Sequence, residues 1–88
     1  MDNAQSPVPL QVTFYMKAGC HLCEDIREML DEIATQNTYE LTEIDIRRDF
    51  ETFEQYRYRI PVVMLNETIV AEGRIAYDEL LQAFDTYK

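Results

Sequence analysis

Two cysteines, Cys20 and Cys23, are the side chains of this sequence whose type and spacing best suit chemistry. A disulfide between them would close almost no loop, so it would add little to the stability of the fold. Small secreted domains instead carry several bridges that close long loops. The pair therefore predicts reversible thiol–disulfide chemistry in a reducing, cytoplasmic compartment rather than a structural crosslink.

The sequence period changes from two to helical at Cys20, which predicts that the pair lies at the start of a helix. Unpaired N–H groups and the helix macrodipole favour a thiolate there, whereas a free cysteine has a pKa of about 8.5. Lys17, three residues before Cys20, adds a nearby cation. Side chains three residues apart on a helix lie about 5–6 Å apart at Cβ, close enough for exchange after local adjustment. We therefore expect Cys20 to be the nucleophile and Cys23, one turn inside, to be the resolving thiol.

Metal binding is the main alternative for these cysteines. A zinc ion usually takes four ligands, and within one chain His21 is the only further soft ligand, so we predict no metal site there. Thiolates from two subunits could still hold zinc or an iron–sulfur cluster, which leaves a carrier role open. Covalent haem attachment is excluded, because Glu24 stands where that motif requires histidine. Two inert buried cysteines, and a non-catalytic module that binds a partner along the Ile60–Val62 edge, also remain open.

The composition indicates one small globular domain. The 88 residues carry 17 acidic and 8 basic side chains, a net charge of −9, and 47% of them are hydrophobic. This acidity disfavours binding to nucleic acid or to anionic membranes. The longest apolar run, residues 60–65, is far shorter than the ~20 residues that span a bilayer. Residues 1–9 are expected to form a flexible tail, and they lack the apolar stretch of a signal peptide.

The hydrophobic pattern predicts seven elements in the order β-α-β-α-β-β-α. Leu10 to Tyr15 alternates as a strand, and an amphipathic helix then runs from Cys20 to about Gln36. The remaining elements are a strand over 39–46, a short helix capped by Asp49, strands over 62–65 and 68–71 joined by a turn at 66–67, and a last helix. The first half is a βαβ unit with parallel strands. We expect an α/β domain over residues 10–88, with a four-stranded mixed sheet and helices on both faces.

Two of the predicted helices carry aromatic residues at helical spacing. Phe50, Phe53 and either Tyr56 or Arg57 are placed near the inner stripe of the short helix. Tyr77 shares one face of the last helix with Leu80, Leu81 and Phe84, and it is expected to be a packing or rim residue.

Two segments of the sequence resemble the glutaredoxin-like branch of the thioredoxin superfamily. Residues 15–23, Tyr-Met-Lys-Ala-Gly-Cys-His-Leu-Cys, are similar to the glutaredoxin stretch Tyr-x-Lys-x-x-Cys-Pro-x-Cys. They are more similar still to small bacterial glutaredoxin-like proteins with a Gly-Cys-His-Leu-Cys centre. Residues 56–63, Tyr-Arg-Tyr-Arg-Ile-Pro-Val-Val, resemble the loop before the third strand of the superfamily. The resemblance covers residues 10–88.

This resemblance implies a thiol–disulfide oxidoreductase that acts on protein or small-molecule disulfides, as a monomer, with a separate reductant. It implies that Pro61 is cis and faces the cysteines, and that Ile60 offers its backbone to the substrate. It also implies that Tyr15 and Lys17 flank the Cys20 thiolate.

Glutathione is the candidate reductant that the resemblance suggests, and no tightly bound cofactor is expected. Family members that bind glutathione carry a Gly-Gly pair followed closely by an acid. The matching segment here, residues 73–78, reads Gly-Arg-Ile-Ala-Tyr-Asp, with one glycine and a displaced acid. His21 either assists the thiolate as an imidazolium, since an unperturbed histidine titrates near 6.5, or is a solvent-facing spacer.

Overall fold

The computed structural model of the chain describes residues 9–87. Its elements are β1 (Leu10–Met16), α1 (His21–Ala34), β2 (Tyr39–Asp45), a 3-10 turn (Ile46–Arg48), α2 (Phe50–Tyr56), β3 (Val62–Leu65), β4 (Thr68–Glu72) and α3 (Tyr77–Thr86). The predicted element order is confirmed, with the 3-10 turn as an addition. Apart from Pro9, the predicted tail lies outside the described residues. Within residues 9–87, none of the helices combines the length and hydropathy that crossing a membrane requires.

The four strands form one mixed sheet in the order β2-β1-β3-β4. Strand β1 pairs in parallel with β2 and antiparallel with β3, and β3 pairs antiparallel with β4. At the end of β1 nearest the cysteines, Met16 pairs with Asp45 and Tyr15 pairs with Val62. We call this the cysteine end of the sheet. The segments before α1, after β2 and before β3 therefore meet there.

One face of the sheet is covered by α1 and α3. Strand residues that point to this face alternate with those that point away, as a period of two requires. The buried cluster here contains Val12, Phe14, Cys23, Ile26, Leu30, Ile33, Val63, Leu65, Ala71, Ile75, Leu80 and Phe84. Cys23 thus belongs to the main core, which fixes the position of its thiol.

The opposite face is covered by the 3-10 turn and α2. Its smaller buried cluster contains Ile46, Tyr56 and Val62, with the partly buried residues Tyr15, Phe53, Ile60 and Ile69 packed against it. Helices on both faces of a mixed sheet were predicted, and this arrangement confirms them.

Four element ends lie one or two residues from the predicted ones: β1 and β4 each run one residue further, whereas β2 and α1 end earlier. Strand β2 ends at Asp45 rather than Ile46, because the Asp45 side chain accepts a hydrogen bond from the Arg47 N–H and caps the 3-10 turn. Ile46 is fully buried in the second cluster. Helix α1 ends at Ala34, two residues earlier than about Gln36.

One aromatic residue that was placed near the inner stripe of the short helix is exposed. The short helix is capped as predicted, since Asp49 Oδ1 accepts from the Thr52 N–H at 2.8 Å. Phe50 at its start is nevertheless 77% exposed, because Phe53 and Tyr56 fill the inner face. Tyr77 is 36% exposed, while Leu80 and Phe84 take the buried side of α3.

Candidate functional site

The two cysteines lie at the start of α1, where the sequence placed them. Cys20 is the N-cap residue, with φ −92° and ψ 110°, and Cys23 is in the first turn. Their sulfur atoms are joined in a disulfide, and their Cα atoms are 5.2 Å apart, within the usual range for a bridge. The Cys23 N–H points at Cys20 Sγ at 3.2 Å, which satisfies one of the unpaired donors at the helix start.

The two sulfurs differ in their access to solvent. Cys23 is 3% exposed and belongs to the main core. Cys20 is only half-buried at the edge of that core. A substrate therefore reaches Cys20 more readily than Cys23, and Cys23 is positioned to react with Cys20.

A tight turn delivers the chain from β1 to the cysteines. The Cys20 N–H donates to the Lys17 carbonyl at 3.2 Å. Gly19 inside the turn has φ +83°, a conformation that residues with a Cβ rarely adopt. The glycine before the first cysteine thus has a backbone role in presenting Cys20 at the helix tip.

Asp45 ties the end of β2 to this turn. Its carboxylate accepts from the Arg47 backbone N–H at 2.9 Å and from the Arg47 guanidinium at 3.1 and 2.9 Å. The Ala18 backbone N–H, in the turn before Cys20, lies close enough to contribute to the lowered pKa of this carboxylate. The bonds from the Arg47 side chain and backbone, together with the Ala18 N–H, lower the pKa of Asp45 from 3.8 to about 2.

We expect Asp45→Asn to lower the free energy of unfolding at pH 7, because the amide loses the charge that Arg47 pairs with. A carboxyl group whose pKa is depressed by folding stabilises the fold fully above its unfolded pKa, 3.8 here. That stabilisation is lost as the pH falls from there towards about 2. Urea unfolding at a series of pH values between 7 and ~2 measures this effect. The difference in free energy of unfolding between variant and wild type should shrink as the pH falls from 3.8 towards about 2.

The matched control for this measurement is Glu67→Gln, which removes one negative charge at the exposed turn between β3 and β4. It should leave the free energy of unfolding nearly unchanged at pH 7. If the difference in free energy of unfolding between Asp45→Asn and the wild type stays constant throughout the acid range, the role given to Asp45 is contradicted.

The Ile60–Pro61 segment lies at the cysteine end of the sheet. The peptide bond between these residues is cis, as the resemblance predicted. Val62 pairs with Tyr15, so Pro61 is level with Met16, where β1 leads into the cysteine turn. Pro61 is fully buried, its carbonyl accepts from the Gly73 N–H at 2.8 Å, and Ile60 packs against both core clusters. The structure thus brings Ile60 and Pro61 to the same end of the sheet as the cysteine turn.

Tyr15 lies on the other face of the sheet from Cys23. Its ring stacks on Tyr56, with centroids 4.1 Å apart and planes 20° apart. Burial, and then the hydrogen bond with Tyr15, raise the pKa of Tyr56. The proximity of Tyr15 to the Cys20 sulfur stays a prediction.

Lys17 and His21, on either side of Cys20 in the sequence, differ in their exposure to solvent. Lys17 lines a cavity of about 490 Å³ that reaches Cys23 and is rimmed by Glu24 and Glu43. It forms no ion pair with any residue of 9–87. The His21 side chain is 96% exposed, and its Nδ1 lies 3.9 Å from Glu24 Oε1. The Lys17 ammonium group is therefore not held in an ion pair within this range, whereas His21 faces solvent.

The segment matched to the glutathione-binding loop lies next to Pro61. Gly73 has φ +75° and donates its N–H to the Pro61 carbonyl. Arg74 is exposed and forms no ion pair with a residue of the described range. Across the same range, no three His, Cys, Asp or Glu side chains converge in a way that could hold a metal ion.

Sequence reasoning did not assign a role to Asp45 or to the exposed side of α2. An aspartate just before a break in the strand pattern is a typical cap, so Asp45 could have been identified as one. Its position beside the turn before Cys20 could not, because that position depends on the pairing of β1 with β2.

The architecture is the thioredoxin-like fold, and solved structures with this fold superpose on it. Protein Ne2328 from Nitrosomonas europaea matches with a TM-score of 0.73 at 24% identity, over 96% of this chain and 98% of that one. Target protein XcR50 from X. campestris matches with a TM-score of 0.73 at 21% identity, over 85% of this chain and 96% of that one. A thioredoxin mutant from Halobacterium salinarum matches with a TM-score of 0.68 at 19% identity, over 90% and 74% of the two chains.

Within that fold, the chain belongs to the family described as Glutaredoxin-like domain (DUF836), which matches residues 11–85. A relative from Dictyostelium discoideum, the glutaredoxin-like protein YDR286C homolog, is 26% identical over 83 residues. That alignment covers 88% of this chain and 77% of the relative. The resemblance to glutaredoxin-like proteins is confirmed at the level of the family.

Proposed function

We propose that this protein is a thiol–disulfide oxidoreductase of the cytoplasm that cycles between a Cys20/Cys23 dithiol and a disulfide. The observation that carries the proposal is the asymmetry of the pair. Cys20 caps a helix and is partly accessible, whereas Cys23 is within bonding distance and 3% exposed. A structural crosslink would need no such difference between its two sulfurs.

The reaction is two successive thiol–disulfide exchanges. The Cys20 thiolate attacks one sulfur of the substrate disulfide, forms a mixed disulfide, and expels the other substrate sulfur as a thiolate. Cys23 then loses its proton and attacks Cys20 Sγ, which releases the second substrate thiolate and leaves the Cys20–Cys23 bridge. The substrate gains two electrons and the protein loses two, so an external thiol reductant must restore the dithiol.

The neighbouring residues have supporting roles in this proposal. N–H groups at the start of α1 stabilise the Cys20 thiolate and lower the pKa of that thiol below the free value of about 8.5. Lys17 adds a positive charge, while Tyr15 flanks the pair and His21 contacts the substrate from the solvent side. Ile60, next to cis-Pro61, offers its backbone to the substrate. Glutathione is the candidate reductant. The exposed Arg74, which follows Gly73 in the matched segment, supplies a cation for one of its carboxylates.

Equilibration in defined glutathione and dithiothreitol buffers tests the proposal. We expect one two-electron transition, with a potential between roughly −270 and −120 mV, read from the loss of two hydrogens in the intact mass. The same protein with dithiothreitol should reduce 2-hydroxyethyl disulfide catalytically. A pair that stays reduced in oxidised glutathione, or a bridge that forms without any turnover, would contradict the proposal.

A further inference from the structure

Helix α2 and the two residues that follow it expose two large aromatic side chains. Among residues 9–87, Tyr58 and Phe50 are the most exposed large hydrophobic side chains, at 86% and 77%. Phe50, Phe53 and Arg57 follow one another at i, i+3 and i+7, so they are neighbours along the helix, with the half-buried Phe53 at the border of the second cluster. We call Phe50, Phe53, Arg57 and Tyr58 the α2 aromatic face.

The arginine of this face is held between two rings. Arg57 Cζ lies 4.9 Å from the Phe53 ring centroid and 4.7 Å from that of Tyr58. Its Nη1 also donates to Glu54 Oε2 at 3.0 Å. These contacts order a long side chain before anything binds, which reduces the entropy lost on association. Tyrosine and arginine are also the residue types that most often dominate protein–protein binding energy.

The α2 aromatic face lies in the segment between β2 and β3. Both ends of this segment join the sheet beside the cysteine turn. The chain leaves the sheet after Asp45, which pairs with Met16. It returns at Val62, which pairs with Tyr15. Tyr58 stands two residues before Ile60, so at about 3.3–3.6 Å per residue the two Cα atoms are at most ~7 Å apart. Both ends of the segment that carries this face, Asp45 and Val62, thus lie at the cysteine end of the sheet.

We propose that the α2 aromatic face binds the polypeptide that flanks a client disulfide, so that the substrates of this site are disulfides in proteins. Apolar or aromatic client side chains near the disulfide would cover Phe50 and pack on the ordered Arg57–Tyr58 pair. Small disulfides offer no chain that reaches this surface, so they gain nothing from it. The inference rests on the proposed function and adds the substrate class.

Steady-state turnover on two substrates tests this inference. We compare reduction of insulin, a protein disulfide, with reduction of 2-hydroxyethyl disulfide, using dithiothreitol as reductant. The double variant Phe50→Ala, Tyr58→Ala should lose roughly tenfold or more in kcat/KM on insulin and less than about twofold on the small disulfide. The control is Tyr77→Ala, an exposed aromatic between α1 and α3 on the other face of the sheet, which should leave both reactions unchanged.

The outcomes separate the two proposals. Equal losses on both substrates, no loss on either, or a wild type that reduces the small disulfide but not insulin would each overturn the binding role of the face. Failure of the wild type to reduce either substrate would instead contradict the redox function itself. Circular dichroism and the redox equilibrium of the double variant establish that its fold and its cysteine pair are intact.

Discussion

Replacement of Cys20 by serine is expected to abolish disulfide turnover, whereas Cys23→Ser should retain the first exchange and stop at the mixed disulfide. The reason is the difference in access, since Cys20 is half-buried at the helix start and Cys23 is 3% exposed in the core. Intact mass after incubation with 2-hydroxyethyl disulfide measures the result. Cys23→Ser should gain one mercaptoethanol adduct, and Cys20→Ser should gain none over the same period.

Serine is a suitable replacement at Cys20 because it can keep the cap of α1. In Cys20→Ser the introduced hydroxyl can accept the residue-23 N–H as the Cys20 sulfur does now, so the N-cap of α1 is kept. Restoration of the adduct-bearing Cys23→Ser protein by dithiothreitol would establish that the adduct is a disulfide. Adducts of equal yield on the two variants, or turnover by Cys20→Ser, would contradict the assigned order of attack.

The position of the cysteines at the start of a helix could be predicted from sequence, because the patterns that define the strand before them and the helix after them are local. The alternation of Leu10, Val12 and Phe14 predicts a strand, and the change of period at Cys20 predicts a helix start. Both are decided by a few neighbouring residues. The element order followed from the same local patterns, with the 3-10 turn as the one element they missed.

The pairing of β1 with β3 could not be obtained in this way. It joins Tyr15 to Val62 across most of the chain, and no local period encodes that contact. This pairing is what brings Pro61 level with Met16. From sequence, the position of Ile60 and Pro61 beside the cysteine turn rests on family resemblance alone.

Helical spacing also failed to separate the buried aromatics from the exposed ones. Phe50 and Phe53 both match the stripe of α2, but only Phe53 packs against the second cluster. The inner surface of a seven-residue helix is small, and Tyr56 stacked on Tyr15 fills much of it. Which aromatic is left in solvent is therefore decided by tertiary packing. The one left out, Phe50, is part of the surface that we assign to client proteins.

The same substitution at two phenylalanines should separate core packing from surface binding. Phe84 is 1% exposed and its ring centroid lies 5.2 Å from that of Tyr39, whereas Phe50 is 77% exposed. Phe84→Ala should lower the free energy of unfolding by about 3–5 kcal/mol, because it removes buried apolar surface and leaves a cavity. Phe50→Ala should change it by no more than about 0.5 kcal/mol.

Urea unfolding at pH 7 with matched protein concentrations measures both values. The free energy of unfolding of a small domain is only about 5–15 kcal/mol. Phe84→Ala should therefore leave a measurable unfolded fraction without urea, or a sharply lower urea midpoint. A loss at Phe50 comparable to that at Phe84 would mean that the Phe50 ring is packed rather than exposed. In that case a loss of insulin reduction in its alanine variant could no longer be attributed to binding. If Phe50→Ala is as stable as the wild type, any such loss arises at the surface and not in the fold.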